Sequence, residues 1–230
     1  MNLKPWIAAG VILLCGCRAV GFAPAYVTHE LAPNGTLRAA INFGNTVLAQ
    51  KDPKTGEAQG VSVDIARELA WRLQVPLDIV PYDAAGKVTA DSTKNVWDIA
   101  FFAIDPKRGE EVAYSAPYVI IEGGYAVPAS SPIKAVGEVD RDGMRIVVSK
   151  GSAYDLYLSR NLKQAKLVHA PSPQSSFEMF ARQKEPVLAG VKAALADWVK
   201  ANPGYRLLDG RFMVIEQAVA IPKDREPPAQ

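Results

Sequence analysis

Short apolar strands alternate with amphipathic helices along most of this chain, and the alternation runs twice. Leu37, Ala39, Ile41 and Phe43 alternate with Arg38, Ala40 and Asn42, the two-residue period of a strand. Ser62 then reads as the cap of a helix with Ile65, Ala66, Leu69, Ala70 and Leu73 on one face, ended by Val75-Pro76. Leu77 to Val80 and Ile99 to Phe102 are further strands, and Asp105 with Pro106 opens a short helix. An apolar, Gly-containing connection (Ile120 to Val127, with Gly123 and Gly124) leads to Pro128, and the pattern restarts. Arg145 to Val148 is a strand, Ser152 opens a helix, Leu167 to Ala170 is a strand, and Ser175 with Glu178 makes a capping box for the next helix. Val187 to Ala189, a helix over Val191 to Lys200 and an extended Met213 to Ile221 complete the series. Strand–helix–strand alternation of this kind predicts an α/β fold with a largely parallel sheet.

Composition removes several classes of function. Lys plus Arg number 26 against 24 Asp plus Glu, a net charge of +2, so nothing favours nucleic acid as a partner. Two His and two Cys leave little for a zinc site or a His-based catalytic apparatus, and no metal or cofactor is expected. Residues 1–25 read as an export signal: Lys4, then an apolar run from Trp6 to Leu14 that is shorter than the roughly 20 residues needed to span a bilayer. Leu14-Cys15-Gly16-Cys17 resembles a lipobox, which implies a lipid anchor at Cys17. Cleavage after Ala23-Pro24-Ala25 is the alternative, and both stay open. Either way the folded body holds no thiol, and its location is periplasmic.

The most informative segment is Asp105-Pro106-Lys107-Arg108-Gly109-Glu110-Glu111-Val112-Ala113-Tyr114-Ser115-Ala116-Pro117-Tyr118. It resembles the signature of bacterial periplasmic solute-binding proteins of the polar amino-acid ABC importer group (extracellular solute-binding protein family 3): Thr-Pro-x-Arg, a short spacer, then Phe-Ser-x-Pro-Tyr. Pro106, Arg108, Ser115, Pro117 and Tyr118 match at the right spacing. Leu37 to Ile41, Gly60 to Ala66, Trp97-Asp98-Ile99 and Lys150-Gly151-Ser152 resemble further family segments in the family's order. The resemblance implies a type II periplasmic-binding fold, a two-lobed clamp in which each lobe is a mostly parallel sheet flanked by helices. Lobe 1 is expected over residues 31–123 plus 213–230 and lobe 2 over 124–212, with two chain crossings as the hinge. A small carboxylate would sit between the lobes, and the protein, expected to be a monomer, would deliver it to ABC permease subunits.

Chemistry singles out the site residues independently. A guanidinium offers two parallel donors to a carboxylate, and Arg108 follows a buried strand at the sheet edge where α/β clefts form. Gly151 and Ser152 lie at a helix N-terminus, whose free amides attract anions. The resemblance implies that Phe43, at the end of the first strand, covers the ligand, and its place on the apolar face by alternation makes core packing the alternative. Asn45, Ala103 and Asp105 are the remaining candidate contacts, Asp105 serving either as a helix cap or as a partner for a cationic group. The chain departs from the family in three places: Asp105 replaces Thr, Gly190 stands where amino-acid binders place an Asp for the ammonium, and the sequence runs to Pro227-Pro228 where the family continues helically, which puts completion of lobe 1 in question. The alternatives are an enzyme of cyclohexadienyl-dehydratase type and a stand-alone ligand-sensing module.

Overall fold

The computed structural model describes residues 21–225; Cys15 and Cys17 lie outside them. The chain opens with α1 (Ala25–Leu31), β1 (Leu37–Asn42), the small hairpin β2 (Gln50–Lys51) and β3 (Ala58–Gln59), α2 (Val61–Leu73), β4 (Leu77–Tyr82), α3 (Ala85–Ala90), β5 (Ile99–Ala103) and β6 (Val112–Tyr114). β7 (Val119–Pro128) carries it into the second lobe. There follow β8 (Arg145–Ser149), α4 (Ala153–Asn161), β9 (Lys166–Ala170), α5 (Pro173–Gln183), β10 (Val187–Val191), α6 (Lys192–Ala201) and β11 (Tyr205–Leu207). β12 (Met213–Pro222) returns to the first lobe.

One sheet runs through the whole molecule in the order β4-β1-β5-β12-β7-β10-β8-β9. Each end is parallel, β4-β1-β5 in one lobe and β10-β8-β9 in the other. The middle is antiparallel. The first half of β7 pairs with β12, from Val119 opposite Gln217 to Gly123 opposite Met213, and its second half pairs with β10 and β11. The second half of β12 continues along β5. The two crossing strands are therefore hydrogen-bonded to each other where the lobes meet. The segment read as a Gly-containing connection is a continuous ten-residue strand.

Each lobe buries apolar residues on both faces of its sheet, as parallel sheets do. In the first, Val63, Ala66, Ala70 and Leu73 of α2 pack on Leu37, Ala39, Ile41, Ile99 and Phe101. Ala40, Ala100 and Phe102 meet Val88 of α3 and Trp97 on the opposite face. In the second, Ile146, Val148 and Tyr154 lie on one face and Val147, Phe180, Leu188 and Leu195 on the other. Trp198 packs half-buried on Tyr205 and Phe177.

Two helix caps differ from expectation. The cap of α2 is Gly60, and Ser62 instead sits in the first turn, hydrogen-bonded to the Tyr118 hydroxyl at 3.1 Å. The cap of α5 is Ser172, whose hydroxyl accepts from the Ser175 amide, because Pro173 occupies the first helical position where its missing N–H costs nothing. Ahead of Leu31, α1 packs on α2: the Ala23 amide donates to Arg72 O and the Phe22 ring tilts against Trp71.

Asp98 holds the ends of the first lobe together. Its carboxylate has no solvent exposure and accepts from the Arg38 guanidinium (2.8 and 3.0 Å), the Arg38 amide (2.8 Å) and the Arg225 guanidinium (2.6 Å). Burial pushes this carboxyl up, but the hydrogen bonds from Arg38 and Arg225 outweigh burial and hold it below the usual carboxylate range. A depressed folded value stabilises the protein above the unfolded carboxylate pKa of roughly 3.9, and that stabilisation is lost as pH falls through the folded value. Arg225→Ala removes one guanidinium and raises the folded value. Its acid-unfolding midpoint, followed by circular dichroism from pH 6 to pH 2, is expected to move to higher pH than that of the unsubstituted protein. An unmoved midpoint would show that Arg38 alone fixes Asp98.

Candidate functional site

Every parallel strand of both lobes points its C-terminal end at the cleft, so the loops after β1, β5 and β8 meet there. Between them is a cavity of about 210 Å³. Lobe 1 contributes Phe43, Asn45, Phe102, Ala103 and Arg108, lobe 2 contributes Ser149, Ser152, Tyr154, Phe177 and Gly190, and the crossing strand β12 adds Ile215 and Gln217.

Arg108 starts a single 3-10 turn (Arg108–Glu110) after β5 and is only 1% exposed. One terminal nitrogen donates to Ala103 O at 2.9 Å and the other to Gly151 O of the opposite lobe at 2.8 Å. The guanidinium carbon lies 5.2 Å from the centroid of the Phe102 ring, an attraction worth roughly 0.5–2 kcal/mol. Nε is buried with no partner. Burial lowers the pKa of this group, opposed by Tyr114 and Asp105 nearby. A guanidinium has five N–H donors, so three remain unused, Nε among them, at the wall of a cavity.

The turn Ser149-Lys150-Gly151-Ser152 is built differently from the expectation of free amides. Ser152 caps α4, accepting from the Asp155 amide at 3.1 Å. Asp155 in turn accepts from the Gly151 amide at 2.7 Å and bonds His169 Nε2 at 2.8 Å. The Gly151 amide is thus satisfied within its own lobe and its carbonyl by Arg108. Gly151 does not line the cavity, whereas Ser152 does.

Asp105 also lies off the cavity wall. Its carboxylate accepts at 2.9 Å from the amide of Lys107, the residue that caps the 3-10 turn in its place, and pairs across the cleft with Arg160 of α4 at 2.7 Å. The cation it meets is therefore a protein side chain. Ala103 lines the cavity and supplies the carbonyl that orients Arg108. Phe43, half-buried, packs against the α2-side core and lines the cavity. Asn45 lines the cavity with its Oδ1 buried and unpartnered.

The lobes close directly on each other beside the site. Gly86 of α3 lies against Lys150-Gly151: a Cβ on Gly86 would come within 2.5 Å of Lys150 O, and one on Gly151 within 2.7 Å of Gly86 Cα. Gly151 also has φ +71°, which L side chains rarely adopt. Gly86, Asp155, Arg160, Phe177 and Gln217 are site residues the sequence reading missed. Only Asp155 carried a local signal, since Ser152-x-x-Asp155 has capping-box spacing. Among the described residues no helix is long and apolar enough to cross a membrane, and no three His, Cys, Asp or Glu side chains gather as a metal site.

Two parallel-sheet lobes joined by a pair of crossing strands, with a polar-edged cavity between them, define a two-lobed type II periplasmic-binding fold. The chain belongs to the bacterial extracellular solute-binding proteins, family 3, which it matches over residues 48–213. It is 22% identical over 188 residues to a glutamine-binding protein of Geobacillus stearothermophilus, covering 80% of this chain and 71% of that one. It is 24% identical over 160 residues to a cyclohexadienyl dehydratase of Pseudomonas aeruginosa, covering 67% and 59%. The crystal structure of a cysteine-binding protein from Campylobacter jejuni shares the fold with a TM-score of 0.74, at 22% identity over 87% of this chain and 82% of that one.

Proposed function

We propose that this protein captures a small carboxylate-bearing solute outside the cytoplasmic membrane and delivers it to the permease of an ABC importer. The observation that carries the reading is Arg108, a buried guanidinium with unused donors on the wall of a cavity between two lobes. A carboxylate fits such a fork with charge-assisted bonds. The lobes, 31–123 with 213–230 and 124–212, open and close about β7 and β12, and contacts available only in the closed form shift the population toward it. The export signal, with lipidation at Cys17 or cleavage after Ala25, places the protein in the periplasm. A dehydratase reaction needs a general acid in the site. The two positions weighed for one are Gly190, which has no side chain, and Asp105, which pairs with Arg160 off the cavity wall.

Thermal-shift screening against organic acids and amino acids tests the reading, with small-angle scattering on each hit. A bound solute is expected to raise the melting temperature and to shrink the radius of gyration as the lobes close. A radius unchanged at saturation would eliminate the clamp.

A further inference from the structure

We infer that the solute is a monocarboxylic acid with an uncharged hydroxyl or oxo group beside the carboxylate and an apolar body, not an α-amino acid. The inference rests on the capture reading above and narrows it. Arg108 is the sole charged residue lining the cavity among the described residues. An amino acid brings a carboxylate, which Arg108 can neutralise, and an ammonium, which nothing there can. Burying an ammonium without a counter-charge is costly, and Arg108 itself repels it.

The neighbouring carboxylates cannot be recruited cheaply. Asp105 is committed to Arg160 and the Lys107 amide, and Asp155 to the Gly151 amide and His169. Neither lines the cavity. At the end of β10 the wall is Gly190, where even a Cβ would point at Leu195, 3.2 Å away, in the core beneath α6.

What the cavity does offer is neutral polarity. Four buried side-chain polar atoms of the described residues lack a hydrogen-bond partner, and three of them line this cavity: Arg108 Nε, Asn45 Oδ1 and Ser149 Oγ, the last beside the Tyr154 hydroxyl without a well-formed bond. Buried polar groups are normally paired, so three orphans at one cavity mark the positions where a ligand supplies the partners. Asn45 Oδ1 accepts and so suits a ligand hydroxyl, whereas the Ser149 hydroxyl can accept from a hydroxyl or donate to a carbonyl oxygen. Phe43, Phe102, Phe177, Val191 and Ile215 supply an apolar wall for the rest. The volume of about 210 Å³ limits the body to a small one.

Isothermal titration of the purified full chain with three matched triplets tests this. The triplets are lactate, pyruvate and alanine; 2-hydroxyisocaproate, 4-methyl-2-oxopentanoate and leucine; and phenyllactate, phenylpyruvate and phenylalanine. Within the triplet of fitting size, the hydroxy or oxo acid is expected to bind at least tenfold more tightly than the amino acid. An amino acid that binds as tightly as its neutral counterparts, or more so, overturns this inference and leaves solute capture standing. Binding by none of the nine overturns both, because the carboxylate common to all would then not be what Arg108 holds.

Discussion

Arg108→Ala is expected to weaken solute binding by roughly 30-fold to several thousandfold, without lowering the melting temperature of the unliganded protein. The first part follows from what truncating one member of a buried, hydrogen-bonded charge pair costs, roughly 2–5 kcal/mol, and from the tenfold change per 1.4 kcal/mol. The second follows from the site's own imbalance. Among the described residues Arg108 is a buried cation held by two carbonyl oxygens and the Phe102 face, with Nε unpaired and no carboxylate bonded to it. Removing an uncompensated buried charge relieves a desolvation penalty of several kcal/mol, against which stand two hydrogen bonds to neutral carbonyls. A residue retained for folding would behave the other way round: its loss would lower the melting temperature and leave affinity to the remaining contacts. Arg108→Lys sharpens the comparison. It keeps the charge but loses the fork, so it should recover only part of the lost affinity. Calorimetry and thermal melts on both variants check this, and a variant that unfolds earlier yet binds normally would remove Arg108 from the site.

The position of Arg108 at the cavity wall was legible in the sequence because its surroundings are local. A buried strand, Pro106 and the spacing to Ser115-Ala116-Pro117-Tyr118 all lie within twenty residues, and these place the guanidinium at the sheet edge. The alternating strands and the buried face of α2 were legible for the same reason. What stayed hidden depends on pairs far apart in the chain. Asp105 looked available to a ligand until Arg160, 55 residues later, was brought beside it. Gly151 is the exception: it looked like an anion-binding turn although Asp155, which takes its amide, lies only four residues on. The crossing strand β7 read as a connection because Gly123 and Gly124 mimic a turn. They are glycines because neighbours crowd them: a Cβ on Gly123 would meet the Met213 side chain at 2.6 Å and one on Gly124 would meet Lys192 at 3.2 Å. Both neighbours come from elements about 70 to 90 residues downstream, where no local pattern announces them.

Gly86→Val is expected to leave each lobe folded and to disable the clamp. Gly86 sits in α3 with ordinary helical geometry, so a side chain there meets no backbone strain within its own lobe; positive φ is confined to other positions such as Gly151. The obstruction is across the cleft, where its Cβ would stand 2.5 Å from Lys150 O, backbone that cannot rotate away. The closed state can take the added bulk only by separating the lobes. Separation strains three contacts at once: the Gly86–Gly151 approach, the Arg108 bond to Gly151 O and the Asp105–Arg160 pair. Overpacking of this kind costs about 1–3 kcal/mol. Because the penalty falls on the closed state alone, it lowers the competent fraction, and the apparent affinity falls with it, by roughly five- to 150-fold. Scattering should show a larger radius than that of the unsubstituted protein at saturating ligand, while circular dichroism stays the same. The reciprocal change, Gly151→Val, adds the strain of a β-branched residue at φ +71° and should therefore cost stability as well as affinity. That difference between the two glycines, one purely a contact and the other a contact and a turn, is what the pair of variants measures. If Gly86→Val binds with undiminished affinity, the approach of α3 to the Lys150-Gly151 turn is not part of the ligand-bound state, and closure must run through the Arg108 bond and the Asp105–Arg160 pair alone.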